Sequence, residues 1–265
     1  MRILRALMIG DVVGEPGLEV LEARLPSILK EYAVDFAVVN GENAAAGFGL
    51  TEAALGRIIA AGADVVTSGN HIWEKRDFWP VLDSEERILR PANYPAGVSG
   101  RGQVRIAKAG AHWITVNLQG RELMTPIDCP FRCFDAILNG QSGEKSPGPP
   151  IILVDFHAES TREKEALAYY LDGRASVVAG THTHVQTADE RLLPNGAAYI
   201  TDLGMTGITG AVIGMDPQIC LDRARKQVQY RLEPAAQTPE AEAVVQGIVA
   251  GIDADTGRAV SIRRI

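Results

Sequence analysis

Cysteine is scarce. Cys129, Cys133 and Cys220 are three in all, too few and odd in number for the disulfide framework of a secreted domain. A reducing cytoplasm is the expected setting. Positive charge is also in deficit, with 26 Lys and Arg against 33 Asp and Glu and a net charge of −7. Such a chain gains no long-range attraction to duplex nucleic acid or anionic lipid. A DNA-coating role is excluded, and small phosphate substrates stay open if cations intervene. Long apolar runs are missing too. The charge-free stretch Leu203 to Met215 is full of Gly and Thr and falls short of the roughly 20 apolar residues that span a membrane, so no membrane association is expected. Arg5 interrupts the first apolar stretch and no small-residue cleavage site follows, so no signal peptide is expected. No internal repeat, low-complexity tract or linker is present.

What remains is ordinary globular composition: 265 residues, 46% apolar and 22% charged. One domain spanning 1–265 is expected, large enough to need no disulfide staples. Ile3 to Gly10 reads as a buried strand. A helix follows, with Pro16 at its start and helical spacing over Leu18 to Tyr32. Val34 to Asn40 is a second strand, Thr51 to Gly62 a helix, and Val65 to Thr67 a third strand. This β-α-β-α-β order points to a mainly parallel sheet. Gln103 to Ala107 and Trp113 to Leu118 read as successive strands around a turn at Gly110, and Ser142 to Pro150 as a loop. Ile151 to Asp155, Ser176 to Ala179 and Ala197 to Thr201 read as further strands, with a helix at Ser160 to Leu171 capped by Ser160. Gln227 to Ile265 alternates like strands, with a hairpin turn at Asp255-Thr256-Gly257. The fold class is α/β, built on a mixed sheet or two packed sheets.

Each core strand stops at residues that can bind a metal: Asp11; Asn40-Gly41-Glu42-Asn43; Asn70-His71; Asp155-Phe156-His157; and His182-Thr183-His184. In open α/β sheets, ligands bind beyond the carboxyl ends of strands. Four of the five histidines (His71, His157, His182 and His184) sit at these ends, and only His112 does not. Each alone would pass as a packed side chain, but four together beside carboxylates and amides point to a shared site. Imidazole, carboxylate and amide oxygen suit Zn, Fe, Mn or Co rather than Ca. Without a cysteine, a structural thiolate site is not expected. Asp11, Glu42, Asn43, Asn70, His157, His182 and His184 make seven candidate ligands, too many for one tetrahedral ion. They suit two ions sharing a carboxylate, a clamp that neutralises phosphate and lowers the pKa of a bridging water.

In order, Gly10-Asp11, Gly41-Glu42-Asn43, Gly69-Asn70-His71, His157 and Gly180-Thr181-His182-Thr183-His184 resemble the motifs of the calcineurin-like metallophosphoesterases. With Gly10-Asp11-Val12-Val13-Gly14 and Thr201-Asp202-Leu203-Gly204-Met205-Thr206-Gly207, the chain looks like their YmdB-type branch nearly end to end. The resemblance implies a sandwich of two packed mixed β-sheets flanked by helices. It implies hydrolysis of 2′,3′-cyclic nucleotides or related cyclic nucleotide phosphodiesters by a metal-bridging hydroxide. It implies Asp11, Asn43 and His184 around a first metal, Glu42 bridging, and Asn70, His157 and His182 around a second, with His71 as general acid. A histidine pKa of about 6.5 suits that role near neutrality. Two iron ions are the implied cofactors, with manganese or zinc as alternatives. Two departures from the broad pattern, Val13 where many members carry histidine and Glu42 where many carry aspartate, make the first site richer in oxygen. The rival readings are a phosphomonoesterase acting on nucleotides or phosphoproteins, and a non-catalytic metal-containing regulator. A homo-oligomer is a base-rate expectation.

Several signals are set aside. Gly10, Gly14 and Gly17 fit neither a Rossmann fingerprint nor a P-loop. Cys129 and Cys133 lack a second pair for a metal and are expected as loop or core residues. Trp73, Phe78 and Trp79 read as a packed helix face rather than a base-stacking wall. Glu74 and Arg76 read as ordinary charges near the surface, and Asn117 and Arg121 as residues that reach a substrate phosphate.

Overall fold

A computed structural model of the chain describes residues 2–140, 148–238 and 241–265. The opening alternation is as expected: β1 (Ile3–Ile9), a short β2 (Asp11–Val12), α1 (Gly14–Glu31), β3 (Phe36–Asn40), α2 (Glu52–Ala61) and β4 (Val65–Thr67). The first helix begins at Gly14, ahead of Pro16, because a first-turn residue has no intrahelical N–H bond to lose. The second is capped by Thr51, whose hydroxyl accepts the Ala54 N–H.

The middle of the chain contains α3 (Trp79–Ser84), β5 (Gln103–Lys108), β6 (Ala111–Gln119), α4 (Pro130–Gly140), β7 (Ile151–His157), α5 (Thr161–Leu171), β8 (Val177–Thr181), β9 (Arg191–Leu192) and β10 (Ala198–Ile200). The C-terminal part adds β11 (Met205–Ile208), α6 (Pro217–Lys226), β12 (Ala243–Val245), β13 (Gly247–Asp253) and β14 (Ala259–Arg264). Ser160 caps α5 through the Glu163 N–H. Strand-like alternation from Gln227 is corrected: among the described residues regular strand starts only at Ala243, and the preceding described stretch holds a lone bridge from Pro234 to Met215. The expected turn does join β13 to β14. Of the expected loop Ser142–Pro150, positions 142–147 lie outside the described residues. Among the described residues no helix is long and apolar enough to cross a membrane.

Two large mixed sheets form, ordered β14-β13-β1-β3-β4 and β5-β6-β7-β8-β10-β9, with a small third sheet β12-β11-β2. The large sheets pack face to face. Strand side chains alternate between faces, and Leu4, Ala6 and Met8 of β1 share the inter-sheet core with Ile151 and Leu153 of β7 and Val177 and Ala179 of β8. Phe36 stacks on Trp113 across the gap, centroids 4.7 Å apart. The outer faces are covered by α1 and α2 on one side and by α4 and α5 on the other.

The same alternation decides where the site lies. The inward register of β7 runs Ile151, Leu153, Asp155, His157; that of β3 runs Phe36, Val38, Asn40; that of β8 runs Val177, Ala179, Thr181. At the carboxyl ends of the strands the inter-sheet core therefore turns from apolar to polar.

Candidate metal centre

Seven side chains meet at this polar end. Asp11 opens β2, which pairs in parallel with β11, Asp11 opposite Met205. Glu42 and Asn43 follow β3, Asn70 follows β4, His157 ends β7, and His182 and His184 follow β8. A Cβ on Gly69 would run into the His157 ring, so glycine lets the Asn70 loop cross over that imidazole. His182 and His184 have φ of 102° and 62°, an uncommon conformation for non-glycine residues and one that concentrates at functional sites.

One ligand atom each from Asp11, Glu42 and His157 lies within 4.8 Å of the other two, and all three residues are buried. His157 Nε2 has Glu42 Oε2 at 2.6 Å, His182 Nδ1 at 3.0 Å and Asn70 Oδ1 at 3.1 Å. His184 Nε2 lies 3.1 Å from the Asn43 amide and 3.8 Å from Asp11 Oδ1. Outer partners set the ring tautomers. The Ile213 carbonyl, which can only accept, lies 2.9 Å from His184 Nδ1, and Glu159 Oε2 lies 3.2 Å from His182 Nε2. Both rings therefore turn their unprotonated nitrogen inward.

This donor set fits a cation better than it fits itself. A ring nitrogen carries at most one hydrogen, yet three lone-pair atoms crowd His157 Nε2. Asp11 Oδ1 is buried and accepts no hydrogen bond, a costly state for a carboxylate oxygen, and buried Glu42 Oε2 faces only the His157 ring, at 2.6 Å. Burial opposes the charge on Glu42, but the His157 charge beside it holds its carboxyl at about 2. Burial likewise opposes charge on His157, and Glu42 overrides it, lifting the imidazole to about 9. Burial and then the His157 charge press His182 down to about 3. Burial raises Asp11 against the pull of His184 and His157. The cluster thus draws a positive charge onto His157, a proton that a metal ion would displace.

His71 sits at the rim, partly exposed, edge-on to Phe48 with centroids 4.9 Å apart. Its backbone N–H donates to Glu42 Oε1, and its Nδ1 lies 3.2 Å from Glu74 Oε1. Glu74 is therefore the partner of His71 rather than an incidental charge. Asn117 is corrected as well: it is fully buried, its Oδ1 accepts the Ser68 N–H, and it braces the β4 loop instead of facing a substrate. The Arg121 guanidinium contacts Cys129 Sγ at 3.6 Å. Phe78 lies in the core, Trp73 packs on Tyr94 at 4.4 Å, and Trp79 is exposed beside Arg76. The three cysteines are free. Around Gly14 the first N–H groups are already bound, Val13 to Thr206 O and Gly14 to Asn43 O, so they cradle no phosphate. The sequence assigns Thr67 no site role, and Asn40 and Thr181, named there at strand ends, lie with it beneath the cluster rather than in it. Their signal is the inward strand register that they share with His157.

Paired mixed sheets flanked by helices, with acid, amide and imidazole gathered at the strand ends, are the calcineurin-like phosphoesterase architecture. More narrowly, the chain belongs to the YmdB-like protein family, whose model matches residues 7–265. It is similar to a 2′,3′-cyclic-nucleotide 2′-phosphodiesterase of Bacillus subtilis strain 168, with 44% identity over 262 residues, 99% of this chain and 96% of that protein. The crystal structure of a hypothetical protein from Thermus thermophilus aligns with a TM-score of 0.87 and 39% identity, covering 99% of this chain and 98% of that one. That of a novel phosphatase from Mycoplasma pneumoniae aligns with a TM-score of 0.90 and 29% identity, covering 100% and 93%.

Proposed function

We propose that the whole chain, 1–265, is one metallophosphoesterase domain that hydrolyses cyclic nucleotide phosphodiesters, 2′,3′-cyclic nucleotides first among them, with two metal ions. The observation that carries this reading is the convergence of seven ligand-type side chains around the buried carboxylates of Asp11 and Glu42, with Asp11 Oδ1 accepting no hydrogen bond. The substrate class is supported by the printed activity of the Bacillus subtilis relative. Asp11, Asn43 and His184 would hold one ion and Asn70, His157 and His182 the other, with Glu42 able to contribute to both. Iron is our first choice of metal, with manganese or zinc as alternatives that the same nitrogen and oxygen donors accommodate. The free cysteines fit a reducing cytoplasm.

The bound ions supply positive charge for the phosphate oxygens and an acidified water. The protein's residues do the rest. Ile213 and Glu159 keep the rings of His184 and His182 aimed inward. His71 donates a proton from Nε2 to the departing ribose oxygen, while Glu74 holds Nδ1 and so orients the ring. The phosphatase named among the similar structures motivates a second reading, monoester hydrolysis at the same site. A panel of 2′,3′-cyclic nucleotides, 3′,5′-cyclic nucleotides, linear diesters and nucleoside monophosphates separates the two. The cyclic diesters are expected to show the highest kcat/KM, and a monoester preference would refute the first reading.

A further inference from the structure

Beneath the ligand cluster, β7 carries another buried carboxylate, Asp155, whose hydrogen bonds close in only one way. The Glu42 backbone N–H can only donate, and Asn40 Oδ1 accepts it at 3.0 Å. That orients the Asn40 amide, whose NH2 then donates to Asp155 Oδ2 at 3.0 Å and to Thr181 Oγ1 at 3.3 Å. Thr181 has one hydroxyl hydrogen and gives it to Asp155 Oδ1 at 2.7 Å. The remaining contact, His157 Nδ1 to Thr181 Oγ1 at 3.0 Å, is then a donation from the ring, because the hydroxyl has no second hydrogen. Thr67 Oγ1 donates to Asp155 Oδ2 as well. Nδ1 therefore carries a hydrogen in either charge state, and in the neutral ring that a metal would bind, Nε2 turns a lone pair toward Glu42, Asn70 and His182.

We infer that Asp155 is a positioning residue that sets the direction of this hydrogen-bond chain. Through Thr181 it holds His157 in the tautomer that offers Nε2 to a divalent cation. The inference rests on the proposed ligand role of His157. Asp155→Asn reverses the chain with almost no change of shape. The Asn40 NH2 still needs an acceptor, so the new amide turns its oxygen to Asn40 and its own NH2 to Thr181. Thr181, now receiving two hydrogens, donates its own to His157 Nδ1. The ring hydrogen moves to Nε2, where it points at Glu42 and occupies the metal's place.

The test measures Zn2+ affinity of the full chain by chelator competition. Wild type is expected to bind two ions. Asp155→Asn weakens the ion on the His157 side by about 100-fold, the upper range for residues that orient a ligand from behind. The ion on the Asp11, Asn43 and His184 side changes by less than about tenfold. Thr181→Val deletes the hydroxyl that enforces the wrong tautomer, so Asp155→Asn/Thr181→Val is expected to bind more tightly than Asp155→Asn alone. A purely structural role for Asp155 makes the double variant the weakest. Unchanged affinity in Asp155→Asn, or a double variant weaker than it, overturns the inference while leaving the ligand assignment standing. Wild type that binds no Zn2+ overturns the assignment and the inference with it. If the variants do not fold, the His157 ring 15N–1H correlation of Zn2+-loaded wild type decides: hydrogen on Nδ1 is expected, and hydrogen on Nε2 overturns the inference.

Discussion

Glu42→Gln removes one negative charge and keeps the side chain's shape. Glu42 is fully buried, and its Oε2 lies 2.6 Å from His157 Nε2. The interaction registers on both partners: Glu42 is held at about 2 instead of 4.5, and His157 is lifted to about 9 instead of 6.5. Either displacement corresponds to about 3 kcal/mol net of the burial that opposes it, and the Glu42–His157 contact enters both. That is on the order of a 10²-fold change in an equilibrium constant. A metal ion carries more charge than the proton on His157, so it loses at least as much. Metal affinity at both proposed positions is expected to fall by about 10²-fold or more, because this carboxylate is the proposed bridge between them. In metal-free protein the His157 titration should move back toward its ordinary range. The assays are elemental analysis after dialysis, chelator competition and a histidine NMR titration. Two full equivalents with an unchanged competition curve would refute the bridging role of Glu42.

His71→Ala is expected to retain both metals and lower turnover of bis-p-nitrophenyl phosphate by about 10²-fold or more; steady-state kinetics beside elemental analysis checks this, and unchanged turnover removes His71 from the acid role. Glu74→Gln, which loosens the 3.2 Å contact to His71 Nδ1, should lower turnover by about tenfold on the same substrate, within the modest range that a neighbour of the acid contributes. The pH dependence has opposite signs in stripped and loaded protein. The raised pKa of His157 stabilises the metal-free fold fully below about pH 6.5, and that contribution is lost as pH rises through about 9. Metal binding displaces the same proton, so affinity rises up to about tenfold per pH unit across this window. Thermal melts at fixed free metal should therefore diverge between pH 6.5 and 9, and parallel curves would contradict the charge assignment.

The strand ends were legible because chemistry-bearing residues follow short apolar runs at each of them, from Gly10-Asp11 to His182-Thr183-His184. The pairing of the sheets was less legible. Strands buried on both faces, such as β3 and β8, read as continuous apolar runs that do not say which face meets which partner. Helix α6 buries no residue and so carries no apolar stripe to announce it. Helix α4 places Phe134, Ile137 and Leu138 on the second sheet and is not among the elements expected from the sequence, where only Cys129 and Cys133 of this stretch are read, as loop or core residues. The polar floor was hidden for a different reason. Asp155 looks like another ligand until its register shows it two residues deeper than His157, and the part played by Asp202, named in the sequence only as a member of the Thr201–Gly207 motif, shows in the fold, where Lys164 Nζ lies 2.7 Å away in a fully buried pair. The Asp202 carboxylate also accepts the Thr183 N–H and hydroxyl, which ties down the loop between His182 and His184. Such long-range pairings have no local signature.

The most direct measurement is anomalous diffraction from crystals of protein purified without added metal, collected at the iron, manganese and zinc edges. The account predicts two peaks per chain, one against Asp11, Asn43 and His184 and one against Asn70, His157 and His182, both within ligand reach of Glu42. A single peak at full occupancy, or peaks away from these residues, would contradict it.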